Sequence, residues 1–302
     1  MTHRTGPVVV GVDESTGSDL AVELAAQEAL RWHLPLRLVH GFVPEVAHSA
    51  FGLPYPLSIQ APLHHARAVL AVAARELRRR YPDLQVTTAV LVGNPAGVLI
   101  DESVTASLVV VGCRGSGGFD RLVAGSVSTQ VATYAHGPVI VVRPAQASVA
   151  DGGRRPVVVG VDGSAASTHA LSFAFDEAST RGVPLVAVYV WQALPRSNLG
   201  PISRWHYEAN EATEEAKRLL AEAVAGWQEK YPDVVVERRA LYDFNPAETL
   251  VDASSRAGLV VVGSRGLGGF AGLLLGSVGR ALVHHGHCPV AIVRVAPSQD
   301  DD

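Results

Sequence analysis

The chain has only two cysteines, Cys113 and Cys288, in 302 residues. Two are too few for a disulfide framework, which excludes a small cross-linked secreted scaffold. No stretch approaches the ~20 apolar residues that a bilayer-spanning helix requires. Only Met1-Thr2-His3-Arg4-Thr5-Gly6-Pro7 stands before the strand-like Val8-Val9-Val10, with no apolar run of secretory character. The expected compartment is the cytoplasm, with no membrane partner. Long basic runs are lacking too. Arg78-Arg79-Arg80 falls at an expected helix end, Arg154-Arg155 in a linker, and the formal net charge is −4, so nucleic acid is not an expected partner.

Several catalytic signatures are also missing. There is no G-x-x-x-x-G-K-[ST], which excludes a P-loop NTPase. The turn after the first strand reads Asp13-Glu14-Ser15-Thr16-Gly17, without the glycines of a dinucleotide-binding dehydrogenase. No Ser-His-Asp or Cys-His order stands out, and no acidic pair suggests general acid–base work. No catalytic residue is assigned.

What is present is a globular composition, 48 % hydrophobic and 18 % charged, and one large internal repeat. VVVGVD occurs at 8–13 and 157–162, and LVVVG at 108–112 and 259–263. Tyr81-Pro82-Asp83 returns at Tyr231-Pro232-Asp233, Gly125-Ser126-Val127 at Gly276-Ser277-Val278, and Pro138-Val139 at Pro289-Val290. The offset stays between 149 and 151 residues. A solenoid repeats every few tens of residues, so this period means two whole domains. They are expected at 1–145 and 155–297, joined by the aperiodic linker Ala145–Arg155 and followed by an acidic tail, Pro297–Asp302.

In the first half the hydrophobic pattern predicts strands over 7–13, 36–43, 85–91, 107–112 and 138–143. Helices are predicted over 18–33, 61–80, 94–105 and 125–136. The second half repeats the plan, with strands near 156–162, 184–191, 234–241, 258–263 and 289–295. The strands are near-continuous Val, Leu and Ile runs, as expected where helices cover both faces. The fold class is therefore α/β, with two tandem five-stranded, doubly wound parallel sheets.

In such sheets ligands bind beyond the carboxyl ends of the strands, where strand order reverses. Asp13 and Asp162 follow the first strand of each half. The fourth strand runs into Gly112-Cys113-Arg114-Gly115 and on to Gly125-Ser126-Val127. In the second half the matching residues are Gly263-Ser264-Arg265-Gly266 and Gly276-Ser277-Val278. Glycines bring backbone N–H groups close to a ligand, and the following helix offers unpaired N–H groups and partial positive charge to a phosphate. Ser126 and Ser277 can cap the helix or bond a phosphate oxygen, and Arg114 and Arg265 can add charge-assisted contacts. One such loop is equally well explained by glycines turning the chain from strand to helix. Two at the same spacing, G-x2-G-x9-G-S, favour a ligand.

On these residues the chain closely resembles the ATP-binding branch of the universal stress protein family, in the tandem layout common in actinobacteria. The V-G-V-D of the first strand and the closing H-G-P-V and H-C-P-V extend the resemblance over almost the whole chain. It implies a Rossmann-like or flavodoxin-like sheet and ATP as ligand, alone or as its Mg²⁺ complex. Asp13 and Asp162 would approach the adenine or ribose, and Gly41 and Val190 would line the adenine slot. Gly112, Gly115, Gly125, Ser126 and Val127, with Gly263, Gly266, Gly276, Ser277 and Val278, would hold phosphates. The first loop has Asp120-Arg121 where the second has Ala271-Gly272, so the two sites are expected to differ in affinity. Gly41 offers adenine less apolar surface than Val190. The resemblance also implies that the last strands join domains or subunits, so a homodimer is expected. The leading function is an ATP-binding regulatory protein that acts through conformation or an unidentified protein partner. The alternatives are a slow ATPase or related adenine-nucleotide transferase, and a scaffold working through protein contacts alone.

Other residues have plainer readings. His284, His285, His287 and Cys288 resemble a zinc cluster, but only His287 recurs in the first half, as His136, and histidines suit a helix end without metal. Cys113 matches Ser264 and reads as a small filler rather than an oxidant sensor. His64-His65 reads as surface. The proline-bearing segments 44–62 and 193–203 read either as irregular connections or as flaps over the ligand.

Overall fold

The computed structural model describes residues 4–44, 46–48, 54–56, 59–113, 125–143, 155–191, 202–267 and 274–295, with backbone alone at 46–48, 54–56 and 202–211. The chain divides into two compact units, Met1–Pro144 and Ala145–Asp302.

Unit one runs β1 (Val8–Gly11), α1 (Thr16–Arg31), β2 (Leu36–Phe42), β3 (Val46–His48), β4 (Pro54–Pro56), α2 (Gln60–Arg80), β5 (Val86–Val92), α3 (Pro95–Glu102), β6 (Leu108–Gly112), α4 (Ser126–Tyr134) and β7 (Val139–Val142). Unit two runs β8 (Val157–Val161), α5 (Ala165–Arg181), β9 (Leu185–Trp191), α6 (Ile202–Lys230), β10 (Val236–Tyr242), α7 (Pro246–Ser254), β11 (Leu259–Gly263), α8 (Ser277–His285) and β12 (Val290–Val293).

The main strands of each unit pair in parallel. The order is β7-β6-β1-β2-β5 in unit one and β10-β9-β8-β11-β12 in unit two, the Rossmann order 3-2-1-4-5. Val8 stands opposite both Leu36 and Leu108, and Val157 opposite both Leu185 and Leu259. Val8, Val9 and Val10 are fully buried, because helices cover both faces of a central parallel strand. The chain steps one way from β1 to β2 to β5, then returns to β6 and β7. Right-handed crossovers therefore put α1 and α2 on one face and α3 and α4 on the other.

Short side chains start four of the eight described helices. Ser15 caps α1 by accepting from Ser18 N, Ser164 caps α5 through Ser167 N, and Asn94 and Asn245 cap α3 and α7 with proline at the next position. A repeated ion pair sits inside the first helix of each unit. Glu28 and Glu177 are fully buried, bonded to Arg31 at 2.6 Å and Arg181 at 2.8 Å. The described strands and helices lie within a few residues of the expected ones, with one addition. Segment 44–62, read as an irregular connection or flap, contains the antiparallel pair β3–β4, with Val46 opposite Pro56. Proline is tolerated there because a two-stranded ribbon is all edge.

Candidate functional site

In unit two the carboxyl ends of β8, β9 and β11 open onto a cavity of about 650 Å³. β8 is the strand from which the order departs in both directions, so the cavity lies at the switch point of the sheet. Asp162, Val190 and Gly263 form its floor, and α7 contributes Pro246 and Leu250 to one wall. α8, which packs against α7, lines it from Ser277 to His285, and Arg265, Gly266 and Gly276 complete the lining. All eight second-half candidates, Asp162, Val190, Gly263, Arg265, Gly266, Gly276, Ser277 and Val278, line this one cavity.

Asp162 ties two turns together. Its Oδ1 accepts from Ser164 N at 3.0 Å, within the β8–α5 turn, and its Oδ2 accepts from Leu267 N at 3.0 Å, in the glycine turn after β11. Ser164 Oγ adds a 3.4 Å bond to Arg265 O. The turn is closed at its neck, where Ser264 N donates to Val293 O and Gly276 N donates back to Ser264 O, both at 2.8 Å. Unit one has the same neck. Cys113 N donates to Val142 O at 2.8 Å, and Gly125 N to Cys113 O at 2.6 Å.

The glycines of the motif are required for different reasons. A β-carbon on Gly263 would stand 2.9 Å from Ala166, and one on Gly112 would stand 2.6 Å from the backbone of Gly17. These two let the first helix of each unit approach the fourth strand. On Gly266 a β-carbon would fall 2.2 Å from Asp162 Oδ2. Gly276 differs from all three. Its φ is −68°, and the nearest atom to an added β-carbon is Ser264 O at 3.6 Å, an ordinary contact. Neither backbone conformation nor packing demands glycine there. Gly276 and Gly125 are N-caps that supply no side-chain bond to α8 and α4. The first-turn N–H groups of α8 consequently meet the cavity without a capping side chain, which is the arrangement that favours an anion.

The charges agree. Arg265 and Arg280 line the cavity with His284 and His285, and Asp162 is the only carboxylate among its described lining residues. Behind the turn, burial and then the nearby charge of Arg265 hold the Arg294 guanidinium below its usual pKa, as crowded positive charge does. Cys288 lies apart from this surface. It is buried, and desolvation pushes its thiol up to about 12.

In unit one Asp13 Oδ1 accepts from Ser15 N at 2.9 Å and from Ser15 Oγ at 2.5 Å, while Asp13 N donates to Ser18 Oγ at 3.0 Å. Gly112 ends β6, Gly125 closes the neck, and Ser126 and Val127 open α4. Gly41 has a packing reason of its own, since a β-carbon there would stand 2.9 Å from Pro95 Cα at the start of α3. Cys113 is fully buried in the neck. His65 is exposed and bonds Glu14 at 2.9 Å. Arg114, Gly115, Asp120-Arg121 and Ala271-Gly272 lie outside the described residues, as do most of the linker, the acidic tail and nearly all of 193–203.

Sequence reasoning missed Arg280 and the placement of His284 and His285 on the cavity wall. The signal was there. Positions 277, 280 and 284 recur at i, i+3 and i+7, one face of a helix.

A profile of the Universal stress protein family matches residues 5–143 and again 153–294. A universal stress protein of Mycolicibacterium smegmatis is 42 % identical over 292 residues, covering 95 % of this chain and 96 % of the relative. One from Mycobacterium tuberculosis is 39 % identical over 294 residues, with coverage of 95 % and 96 %. Among solved structures, a universal stress protein from Archaeoglobus fulgidus superposes with a TM-score of 0.69 at 18 % identity, covering 99 % of this chain and 98 % of that one. That likeness is one of fold. The twofold profile match and the end-to-end mycobacterial identities place the chain itself in the universal stress protein family.

Proposed function

We propose that the chain is an ATP-binding regulatory protein, with one site at the glycine turn of unit two and a second at the matching turn of unit one. Nucleotide occupancy would bias conformation or the choice of a protein partner. The observation that carries this reading is the unit-two cavity, where the uncapped start of α8, Gly276, Arg265 and Arg280 face one space. Val188, Val190, Pro246 and Leu250 supply the same space with an apolar slot suited to a purine. Its volume falls within the usual range for small-molecule sites.

Holding is favoured over turnover. Asp162, the only carboxylate among the described lining residues, is engaged as a structural acceptor by two backbone N–H groups, Ser164 N and Leu267 N. It could still contribute an oxygen toward Mg²⁺, an ion that takes one or two carboxylates together with substrate phosphates. A homodimer is part of the proposal and is checked by sedimentation equilibrium at micromolar concentration.

The deciding experiment is to denature the protein purified from cells, identify the released nucleotide by chromatography, and measure its ratio to chain. Calorimetric titration of stripped protein with ATP follows. Recovered ATP approaching two per chain supports both sites. A nicotinamide, a flavin, or no heat with ATP would overturn the reading.

A further inference from the structure

The two units differ where their first two helices meet. In unit one α1 and α2 leave a groove of about 550 Å³ between them. Val22 of α1 and Val69, Val72, Ala73 and Leu77 of α2 give it an apolar lining. Two polar bridges bound it along α2. Glu14 meets His65 at 2.9 Å on one side, and Glu23 accepts from Arg80 at 2.9 Å and from Tyr81 at 2.6 Å on the other. Carboxylates outnumber cations at the rim: Glu14, Asp19, Glu23 and Glu76 stand against His65 and Arg80, with Arg79 paired to Glu76 at 2.7 Å. Val72, in the middle of the lining, is 64 % exposed.

Unit two is an internal control. At the offsets of 149 along the first helix and 150 along the second, Ala26 and Leu77 correspond to Phe175 and Trp227. Those rings stack at 6.3 Å, and Phe175 stacks on Tyr231 at 5.6 Å. The four rim carboxylates correspond to Gly163, Thr168, Ser172 and Gly226, and exposed Val72 corresponds to Glu222. The same fold therefore forms without the acidic rim and with aromatic bulk between the helices. Neither the open groove nor its charge is a requirement of folding.

The walls are two helices with no sheet edge to pair with a strand, so a third helix is the shape that packs there. The rim selects positive charge on that helix, and like charge would be repelled. We propose that the α1–α2 groove of unit one docks a basic amphipathic helix of another protein. Its apolar side chains at i, i+3, i+4 and i+7 enter against Val69, Val72 and Leu77, and its Lys or Arg flanks face Asp19, Glu23 and Glu76. The groove lies on the α1–α2 face, away from the α3–α4 face that matches the cavity walls of unit two. The groove shares Asp13 with the nucleotide candidates, but Val72 and Glu76, the positions tested below, are not among them, so the proposal is tested separately from ATP binding.

The test titrates the full chain with a fluorescent synthetic helix of about five turns, leucine on one face and lysine on the other, beside the same peptide with glutamate for lysine. The lysine peptide is expected to bind at least ~10-fold more tightly than the glutamate one, about 1.4 kcal/mol. Val72→Lys and Glu76→Lys, both at exposed positions, are each expected to weaken it by at least ~10-fold with unchanged melting temperature and ATP binding. Glu222→Lys in unit two should leave it unaffected. Equal binding of the two peptides, or wild-type affinity in both groove variants, would overturn the proposal. So would a crystal structure with the groove filled by residues 49–53 of the same chain or by a second copy.

Discussion

Asp162 and Gly266 share one small volume: Asp162 Oδ2 lies 2.2 Å from where a β-carbon on Gly266 would stand. The same oxygen holds Leu267 N at 3.0 Å. Gly266→Ala must therefore swing the carboxylate aside and break this solvent-exposed bond. Stability in urea should fall by no more than about 1 kcal/mol. Calorimetric ATP stoichiometry should drop by one site. Unchanged stoichiometry would remove the turn from the binding site.

Gly276→Ala separates ligand from packing. The added methyl meets nothing closer than 3.6 Å, and the backbone is already in a region open to alanine. Stability should change by no more than about 1 kcal/mol. The methyl would nevertheless point toward Arg265 and Gly266. ATP affinity at unit two should fall by at least ~10-fold. Loss of stability with affinity intact would reverse this assignment.

Gly112→Ala should do the opposite. Its β-carbon would collide with the backbone of Gly17 at 2.6 Å, and backbone cannot swing aside as a side chain can. Overpacking of this kind costs about 1–3 kcal/mol. The expected result is a lower urea midpoint in unit one, with nucleotide binding in unit two retained.

The thiols supply a check on burial. Cys288 is raised by desolvation from 9.0 to about 12, so at pH 8 it is almost wholly protonated in the folded chain. Cys113 is fully buried. Iodoacetamide should label neither until guanidinium unfolds the protein, and both afterwards. The sign for stability follows from the raised value. Above the unfolded pKa near 9.0 the unfolded chain releases a proton that the folded chain keeps, so stability declines as pH rises toward 12. Rapid labelling of the native protein would show that the neck and the last strand open readily.

The architecture was largely legible because a buried parallel strand leaves a continuous apolar run, as at Val8-Val9-Val10 and its repeat. The β3–β4 ribbon was not, since Pro54 and Pro56 argue locally against any strand and only the partner across the turn rescues them. At the site, the letters marked which residues gather but not why each is needed. Gly41, Gly112 and Gly276 look alike in sequence. Only their neighbours reveal that the first two make room for a helix while the third makes room for nothing in the chain itself. Arg280, and the cavity-facing place of His284, are not legible because a helical period marks an element without saying what its face looks onto.

The closed necks, Gly125 on Cys113 and Gly276 on Ser264, carry an evolutionary consequence. Each pins strand to helix across the eleven intervening residues, 114–124 and 265–275. Gly266 and the buried Leu275 are constrained within the second span, but the closure of each neck by backbone bonds does not depend on which side chains the intervening positions carry. On the proposed function, drift inside one enclosure would give a single polypeptide two receptors of unequal taste on one scaffold.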